Sequence, residues 1–191
     1  MRSLTYLVAC SLDGFIAAPD GSIDAFPTSD EYAAYVLQHF PETVPTHLRS
    51  VLGVTGPGRQ FDTVVSGYRT YAVGPDTGHP SPYSHLEQHV VSRRLRTPPH
   101  PDIHLIADDP VAAVRRLKAR DGAGIYLCGG GRLAATLVGE IDRLVLKRCP
   151  IVLGAGIPLF AGPFDPVAFA PVDCHTIDIG VSFVTYERVR A

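Results

Sequence analysis

The sequence predicts an α/β fold: a mixed sheet, mostly parallel at first and antiparallel at its C-terminal edge, with helices on both faces. Three observations carry this. Short β-prone runs interleave with helix-patterned segments through the early and middle chain, the order expected of a parallel sheet with crossover helices. Residues 3–10 become almost continuously apolar, which suits a strand buried on both faces. Two final β segments, roughly 171–178 and 181–189, are joined by Ile179-Gly180 and read as a hairpin.

The chain can be taken in order. After the first strand comes Ser11-Leu12-Asp13-Gly14-Phe15-Ile16-Ala17, then the turn signal Pro19-Asp20-Gly21-Ser22. Thr28-x-x-Glu31 reads as a capping box, and Tyr32, Tyr35, Val36 and His39-Phe40 follow at helical spacing until Pro41. Residues 41–60 read as an inserted loop with a short helical piece around 46–52. Phe61–Val65 is a strand, Gly67-Tyr68-Arg69-Thr70-Tyr71 opens a short helix, and 74–85 is a second Pro/Gly loop. His89–Ser92 is a strand running into Arg93-Arg94, and Ile103–Ala107 another. Asp109 is placed as an N-cap with Pro110 as the first helical residue. Val111, Val114 and Leu117 form an apolar stripe, and Arg115, Arg116, Lys118 and Arg120 read as a solvated face. Residues 141–147 alternate like a strand, and 151–160 are apolar but broken by glycines.

Composition limits the function classes. The chain has 191 residues, 46% hydrophobic and 19% charged, which suits one globular domain spanning 1–191. A net charge of −2 gives no electrostatic footprint for nucleic acid. No apolar run approaches the roughly 18 residues of a membrane span. The four cysteines, Cys10, Cys128, Cys149 and Cys174, form no C-x-x-C pair, and no histidine cluster completes a zinc set. They read as buried free thiols, which fits a reducing cytoplasm. Arg2 and Leu7-Val8-Ala9-Cys10 faintly imitate a lipoprotein signal, but leave no room for a charged region and an apolar core. His79, His85, His100 and His104 fall in or near Pro-rich loops and read as surface residues.

The stretch with most chemical promise is Gly124-Ile125-Tyr126-Leu127-Cys128-Gly129-Gly130-Gly131-Arg132-Leu133. A strand enters three glycines and a helix leaves. Such a turn either aims backbone N–H groups at a phosphate or is an ordinary glycine-rich connection. Gly67-Tyr68-Arg69-Thr70 and Ser92-Arg93-Arg94 follow strands in the same way. In an open α/β sheet, ligands sit outside the carboxyl ends of strands, so three such turns could hold one dinucleotide. An arginine there could pair with the monoester phosphate that separates NADP from NAD. Gly129-x-Gly131-x-x-Ala134 matches G-x-G-x-x-G/A, but no ribose-binding acid follows about 20 residues on, and too little chain remains for a Rossmann domain. No Walker A lysine is present, and His85-Leu86-Glu87 lacks the P-C-x-x-C of zinc deaminases. Asp13 could face a pocket at the same edge or simply shape an Asp-Gly turn. Asp30 and Glu31 could reach a substrate or only favour the helix dipole.

Taken together, Ser11-Leu12-Asp13-Gly14, Gly67-Tyr68-Arg69-Thr70-Tyr71, Val91-Ser92-Arg93, Leu127-Cys128-Gly129-Gly130-Gly131 and the run from Pro150 to Phe160 resemble one family. It is the dihydrofolate-reductase-like proteins related to the C-terminal reductase domain of bacterial riboflavin biosynthesis. The resemblance covers nearly the whole chain. It implies a three-layer α/β/α fold, NADPH as hydride donor, a small-molecule substrate and a homodimer. It implies that Gly67, Arg69 and Thr70 hold pyrophosphate or ribose phosphate. Ser92 and Arg93 would hold the 2′-phosphate end, and Gly129, Gly130, Gly131, Arg132 and Leu133 would wrap the pyrophosphate. Ala9 and Ile16 would flank the nicotinamide, and Asp13 matches the family's acid near the substrate. No metal is expected.

Two departures matter. The family often has a second basic residue where this chain has Tyr68. Loops 41–60 and 74–86 are long and are expected to reshape the substrate pocket, so the substrate cannot be copied from a relative. No deaminase domain is expected ahead of this one, and so a protein other than the bifunctional riboflavin enzyme is expected. The expected activity is NADPH-dependent reduction of a pterin- or pyrimidine-like heterocycle or a carbonyl compound, with Asp13 or an ordered water giving the proton. The alternative is a non-catalytic NADPH-binding or sensing module.

Overall fold

A computed structural model describes residues 1–56 and 58–190; position 57 of the 41–60 insertion and residue 191 lie outside the described residues. The strands are β1 (Leu4–Cys10), β2 (Phe15–Ala17), β3 (Phe61–Gly67), β4 (Glu87–Val91), β5 (Ile103–Ile106), β6 (Gly124–Gly129), β7 (Arg143–Arg148), β8 (Ile157–Pro158), β9 (Phe169–Thr176) and β10 (Ser182–Arg188). The helices are α1 (Asp30–His39), α2 (Thr46–Arg49), α3 (Tyr68–Asp76), α4 (Pro110–Ala119) and α5 (Gly131–Thr136).

Eight strands form one sheet in the order β5-β4-β3-β6-β1-β7-β10-β9. The six from β5 to β7 run parallel, and β10 and β9 add an antiparallel hairpin, as the sequence predicts. β1 starts the chain yet lies between β6 and β7. That central place explains its apolar run: both of its faces are covered. Leu4 and Tyr6 pack with Val114 and Leu117 of α4 and Leu133 and Ala134 of α5. Leu7 packs on the other face with Val145, Phe183 and Phe40, beneath Tyr35 and Val36 of α1. α3 seats Tyr71 against Val90 and Ile103. The result is three layers.

Several local expectations change. The N-cap of α1 is Ser29, whose hydroxyl accepts from Tyr32 N–H at 3.1 Å, so Thr28 and Glu31 do not form a capping box. Glu31 instead accepts from Asp178 N–H at 2.7 Å. Asp109 caps α4 through Ala112 N–H at 2.9 Å, with Pro110 behind it, as predicted. The basic run of α4 is not all solvated. Lys118 is buried and pairs with Asp142 at 2.6 Å, while Arg115 and Arg120 pair with Glu140 and Glu87. α3 continues through Pro75, which shortens the following loop.

Cys10 and Cys149 are buried, Cys128 is partly buried, and Cys174 is exposed on β9, so only part of the thiol expectation holds. The 151–160 run is no long strand; only Ile157–Pro158 pairs, with β2. His85 is a partly buried strut, bonded to Thr46 Oγ1 at 2.7 Å and Glu42 carbonyl at 2.9 Å. His79 and His100 are also partly buried, and His104 is exposed. No helix among the described residues is long and apolar enough to cross a membrane.

Candidate functional site

Because β4, β3, β6, β1 and β7 are parallel neighbours, their carboxyl ends form one rim. The turns singled out from the sequence all leave from it. Distances show that the turns after β3 and β6 meet each other and Ile16. A Cβ placed on Gly67 would lie 3.6 Å from Gly129 O and 3.8 Å from Gly130 N. One placed on Gly130 would lie 3.5 Å from Thr70 Oγ1 and 3.9 Å from Ile16 Cδ1. So Ile16, Gly67, Thr70, Gly129 and Gly130 converge. Ala9 sits one residue before the end of β1, opposite Lys147 of β7.

The local backbone presents donors. Neither α3 nor α5 has a side-chain cap at its N-terminus. In α5 the first intrahelical bond runs from Ala134 N–H to Gly130 O at 3.0 Å, so Gly131, Arg132 and Leu133 keep N–H groups with no partner inside the helix. With six residues, α5 contributes these N–H groups more than a long dipole. Leu133 itself is a core side chain and offers only its backbone. The Gly129–Gly130 peptide is cis, and Gly129 has φ 109°. A Cβ on Gly131 would meet Pro158 O at 2.0 Å, so only glycine lets the 157–161 segment close over the turn.

Charge is concentrated at the same rim. Arg69, Arg93 and Arg132 are exposed, and none makes an ion pair among the described residues. Ser92 is buried, and its hydroxyl accepts from Arg94 and Leu95 N–H, both at 3.3 Å, leaving its own proton free to donate. A glycine-lined cradle, uncapped N–H groups and uncompensated guanidinium groups suit phosphate oxygens.

Asp13 is placed differently from a free acid. Its carboxylate accepts from Ser11 Oγ at 2.5 Å, Leu153 N–H at 3.1 Å and Gly154 N–H at 2.7 Å. The Ser11 hydroxyl bond, helped by the two amides, holds its pKa below the usual carboxylate value despite some desolvation. It is ionised at neutral pH and ties the 11–14 turn to the 151–156 segment. Asp30 is exposed, and Glu31 is committed to Asp178.

A cavity of about 130 Å³ opens beside the cradle, on the α1 and α3 side of the sheet. Thr70 links it to the glycine turn, and Ser66, Gln88, Tyr83 and Cys128 line its depth. Both long loops contribute: Pro45 and His47 come from the first, Pro82 and Tyr83 from the second. His47 stacks on His79 with centroids 3.5 Å apart, joining the two loops. Tyr126 donates its hydroxyl to Cys128 Sγ at 3.2 Å. Burial pushes the Cys128 thiol up, so it stays protonated at neutral pH. Among the described residues, no group of three or more His, Cys, Asp or Glu is placed to hold a metal.

The sequence reading missed Tyr83 and Gln88. Tyr83 and Gln88 reach the site only through long-range packing.

Comparison with known proteins places the chain in a family. A 32% identical relative, uncharacterized protein YwjB of Bacillus subtilis (strain 168), aligns over 162 residues, 83% of this chain and 83% of its own. Uncharacterized protein YyaP of the same organism is 25% identical over 197 residues, covering 97% of this chain and 94% of its own. Among solved structures, one from Shewanella sp. PV-4 described as a riboflavin biosynthesis protein superposes with a TM-score of 0.74 at 23% identity, covering 99% of this chain and all of that one. The diaminohydroxyphosphoribosylaminopyrimidine deaminase/5-amino-6-(5-phosphoribosylamino)uracil reductase of Thermotoga maritima gives 0.66 at 15% identity, covering 98% of this chain but 57% of that one. At those identities the two structures speak for the fold alone. The family model for the RibD C-terminal domain matches residues 2–183, both β1 and the glycine turn included, and on that match the chain belongs to the RibD C-terminal domain family.

Proposed function

We propose that the protein is an NADPH-dependent reductase that delivers a hydride to a small heterocyclic, pterin- or pyrimidine-like, or carbonyl substrate. One observation carries the reading: the turns after β3 and β6 bring uncapped N–H donors, and the turns after β3, β4 and β6 bring arginines with no ion pair among the described residues, to the rim where β1 ends. Gly67, Arg69, Thr70 and the Gly129–Leu133 turn would hold the pyrophosphate. Ser92 and Arg93 would hold the 2′-phosphate, and Ala9 and Ile16 would flank the nicotinamide. That ring supplies the hydride when bound. The chain's own work is to fix the two reactants in one geometry and to keep bulk water from the cavity. Family membership and the reductase named for the Thermotoga maritima protein support the class of reaction.

Asp13 is assigned to ordering the turn beneath the nicotinamide rather than to proton delivery, because its carboxylate is ionised and accepts three hydrogen bonds. The proton then comes from water. The same geometry favours a second reading, a cytoplasmic NADPH-binding or sensing module without catalysis. A homodimer belongs to either reading: β9 ends the sheet and has no outer partner strand among the described residues.

Titration with NADPH, followed by nicotinamide fluorescence, tests the cofactor site. Saturable binding below millimolar concentration is expected, and its absence sinks both readings. NADPH oxidation with pterin, ribosylaminopyrimidine and quinone acceptors then separates enzyme from module.

A further inference from the structure

We propose that Lys147 is a substrate-binding cation that selects planar ring compounds carrying an anionic oxygen. The inference rests on the reductase reading and deepens it on the substrate side. Only two of the 17 basic residues are lysines, Lys118 and Lys147. Lys118 is buried and neutralised by Asp142 at 2.6 Å. Lys147 is half-buried, and among the described residues it makes no ion pair. Its ammonium stands 5.6 Å from the centroid of the Tyr32 ring. A cation–π contact of that kind offsets only part of the cost of desolvating an ammonium. The acids nearest α1 are engaged elsewhere or lie beyond ion-pair distance of Lys147: Glu31 accepts from Asp178 N–H, and Asp173 acts on Tyr35.

The position says what would supply a counter-charge. Lys147 pairs with Ala9 of β1 and Phe183 of β10, one residue before the carboxyl end of β7. Paired residues share a face, so Lys147 stands beside the residue assigned to the nicotinamide, on the α1 side. Its field reaches the thiols of Cys128 and Cys149, drawing both below the level that burial alone would set. Its neighbours Ala9, Tyr32 and Cys128 are only partly buried, and Phe26 and Tyr83 pack on the core of the same face. These neighbours are mostly aromatic or apolar, and Lys147 is the basic side chain placed among them. Apolar aromatic walls favour a planar ring. The ammonium adds a preference for a carboxylate or ionised enol on that ring, held by a charge-assisted hydrogen bond.

The test uses the full chain saturated with NADP⁺, titrated with pterin-6-carboxylate and with uncharged 6-methylpterin, following pterin fluorescence. Wild type is expected to bind the carboxylate about tenfold more tightly, the discrimination of one charge-assisted bond at a half-exposed site. Lys147→Met is expected to erase the difference, and Lys147→Arg to keep it. NADPH affinity within twofold of wild type in both variants shows that they are folded. Equal affinity for the two pterins in wild type, failure of both to bind, or a preference that survives Lys147→Met overturns the proposal. Failure of NADPH to bind wild type overturns the reductase reading instead, and repeating the pterin titrations without NADP⁺ keeps the two failures apart.

Discussion

Asp13 and Gly154, 141 positions apart in the chain, are joined by a 2.7 Å hydrogen bond from the Gly154 amide to the Asp13 carboxylate. With Leu153 N–H at 3.1 Å and Ser11 Oγ at 2.5 Å, it makes one carboxylate the fastener between the first rim turn and the segment before β8. A family-derived reading makes this residue an acid. The geometry makes it an acceptor whose value lies in staying charged.

That distinction predicts different outcomes for two substitutions. Asp13→Asn keeps an acceptor and is expected to retain part of the amide protection at Leu153 and Gly154; Asp13→Ala is expected to lose it. Hydrogen exchange by NMR reads both. The pH dependence follows from linkage: the folded pKa lies below the usual value of 3.8, so the fastening is fully present above that value and is lost as pH falls through the lower, folded one. Protection of these two amides should therefore persist to pH 4 in wild type. Protection that is unchanged in Asp13→Ala would refute the fastening role.

Gly131 tests the cradle sterically. An added Cβ meets the Pro158 carbonyl oxygen at 2.0 Å, a backbone atom that cannot swing aside. Gly131→Ala is expected to cost about 3 kcal/mol, a Tm decrease of roughly 6–12 °C, and to weaken NADPH binding at the same time. Gly139, where a Cβ meets nothing within 4 Å, is the control. Gly139→Ala should stay within about 0.5 kcal/mol of wild type by thermal or urea unfolding. Equal effects at the two positions would mean that the 157–161 segment does not close over the turn.

The ion pair between α4 and the start of β7 is structural. Lys118 is 4% exposed, bonds Asp142 at 2.6 Å and donates to the Glu140 carbonyl at 2.8 Å. Burial pushes Asp142 upward, but Lys118, the Leu4 amide and Arg190 together hold its pKa below the usual value. Lys118→Met is expected to cost about 2 kcal/mol near neutral pH, less than for a fully buried pair because Asp142 keeps other partners. The difference from wild type should begin to shrink as pH falls below 3.8 and vanish as it passes the lower pKa of the folded Asp142, where wild type loses the pair that the variant already lacks. Urea unfolding at pH 7 and pH 3.5 measures this; a difference that is flat with pH would show packing, not charge, at work.

These cases mark what the sequence could express. The N-cap at Asp109, the glycine turn at 129–131 and the closing hairpin were legible because their signals are local: a side chain bonding three residues on, a backbone that only glycine adopts, and a short turn closed by Gly180 at φ 75°, although that turn spans Asp178–Gly180 and not two residues alone. The fate of Lys118 was not, since its neutralising acid arrives with β7, far along the chain. Lys147 reads in sequence as an ordinary outward residue of an alternating strand. Only the strand order, with β1 between β6 and β7, puts it beside Ala9. The cavity was hidden for the same reason, because Tyr83 and Cys128 meet across two loops and three strands.

If the proposed reductase reading holds, Arg93 is the residue expected to set which nicotinamide cofactor the rim prefers. It follows β4, is exposed, and has no carboxylate partner among the described residues, so its guanidinium is free for a phosphate monoester. Ser92 beside it is buried and keeps a hydroxyl proton to donate. NADH lacks the 2′-phosphate, so the two cofactors differ at the group these residues would meet. Arg93→Ala is expected to weaken NADPH binding about tenfold, the cost of one charge-assisted contact at an exposed site, and to leave NADH binding within twofold. The NADPH affinity of wild type, and not of the variant, should also fall more steeply with salt than that of NADH, because the lost interaction is screened. A variant that weakens both cofactors equally would place Arg93 on the pyrophosphate, and one that weakens neither would remove it from the site.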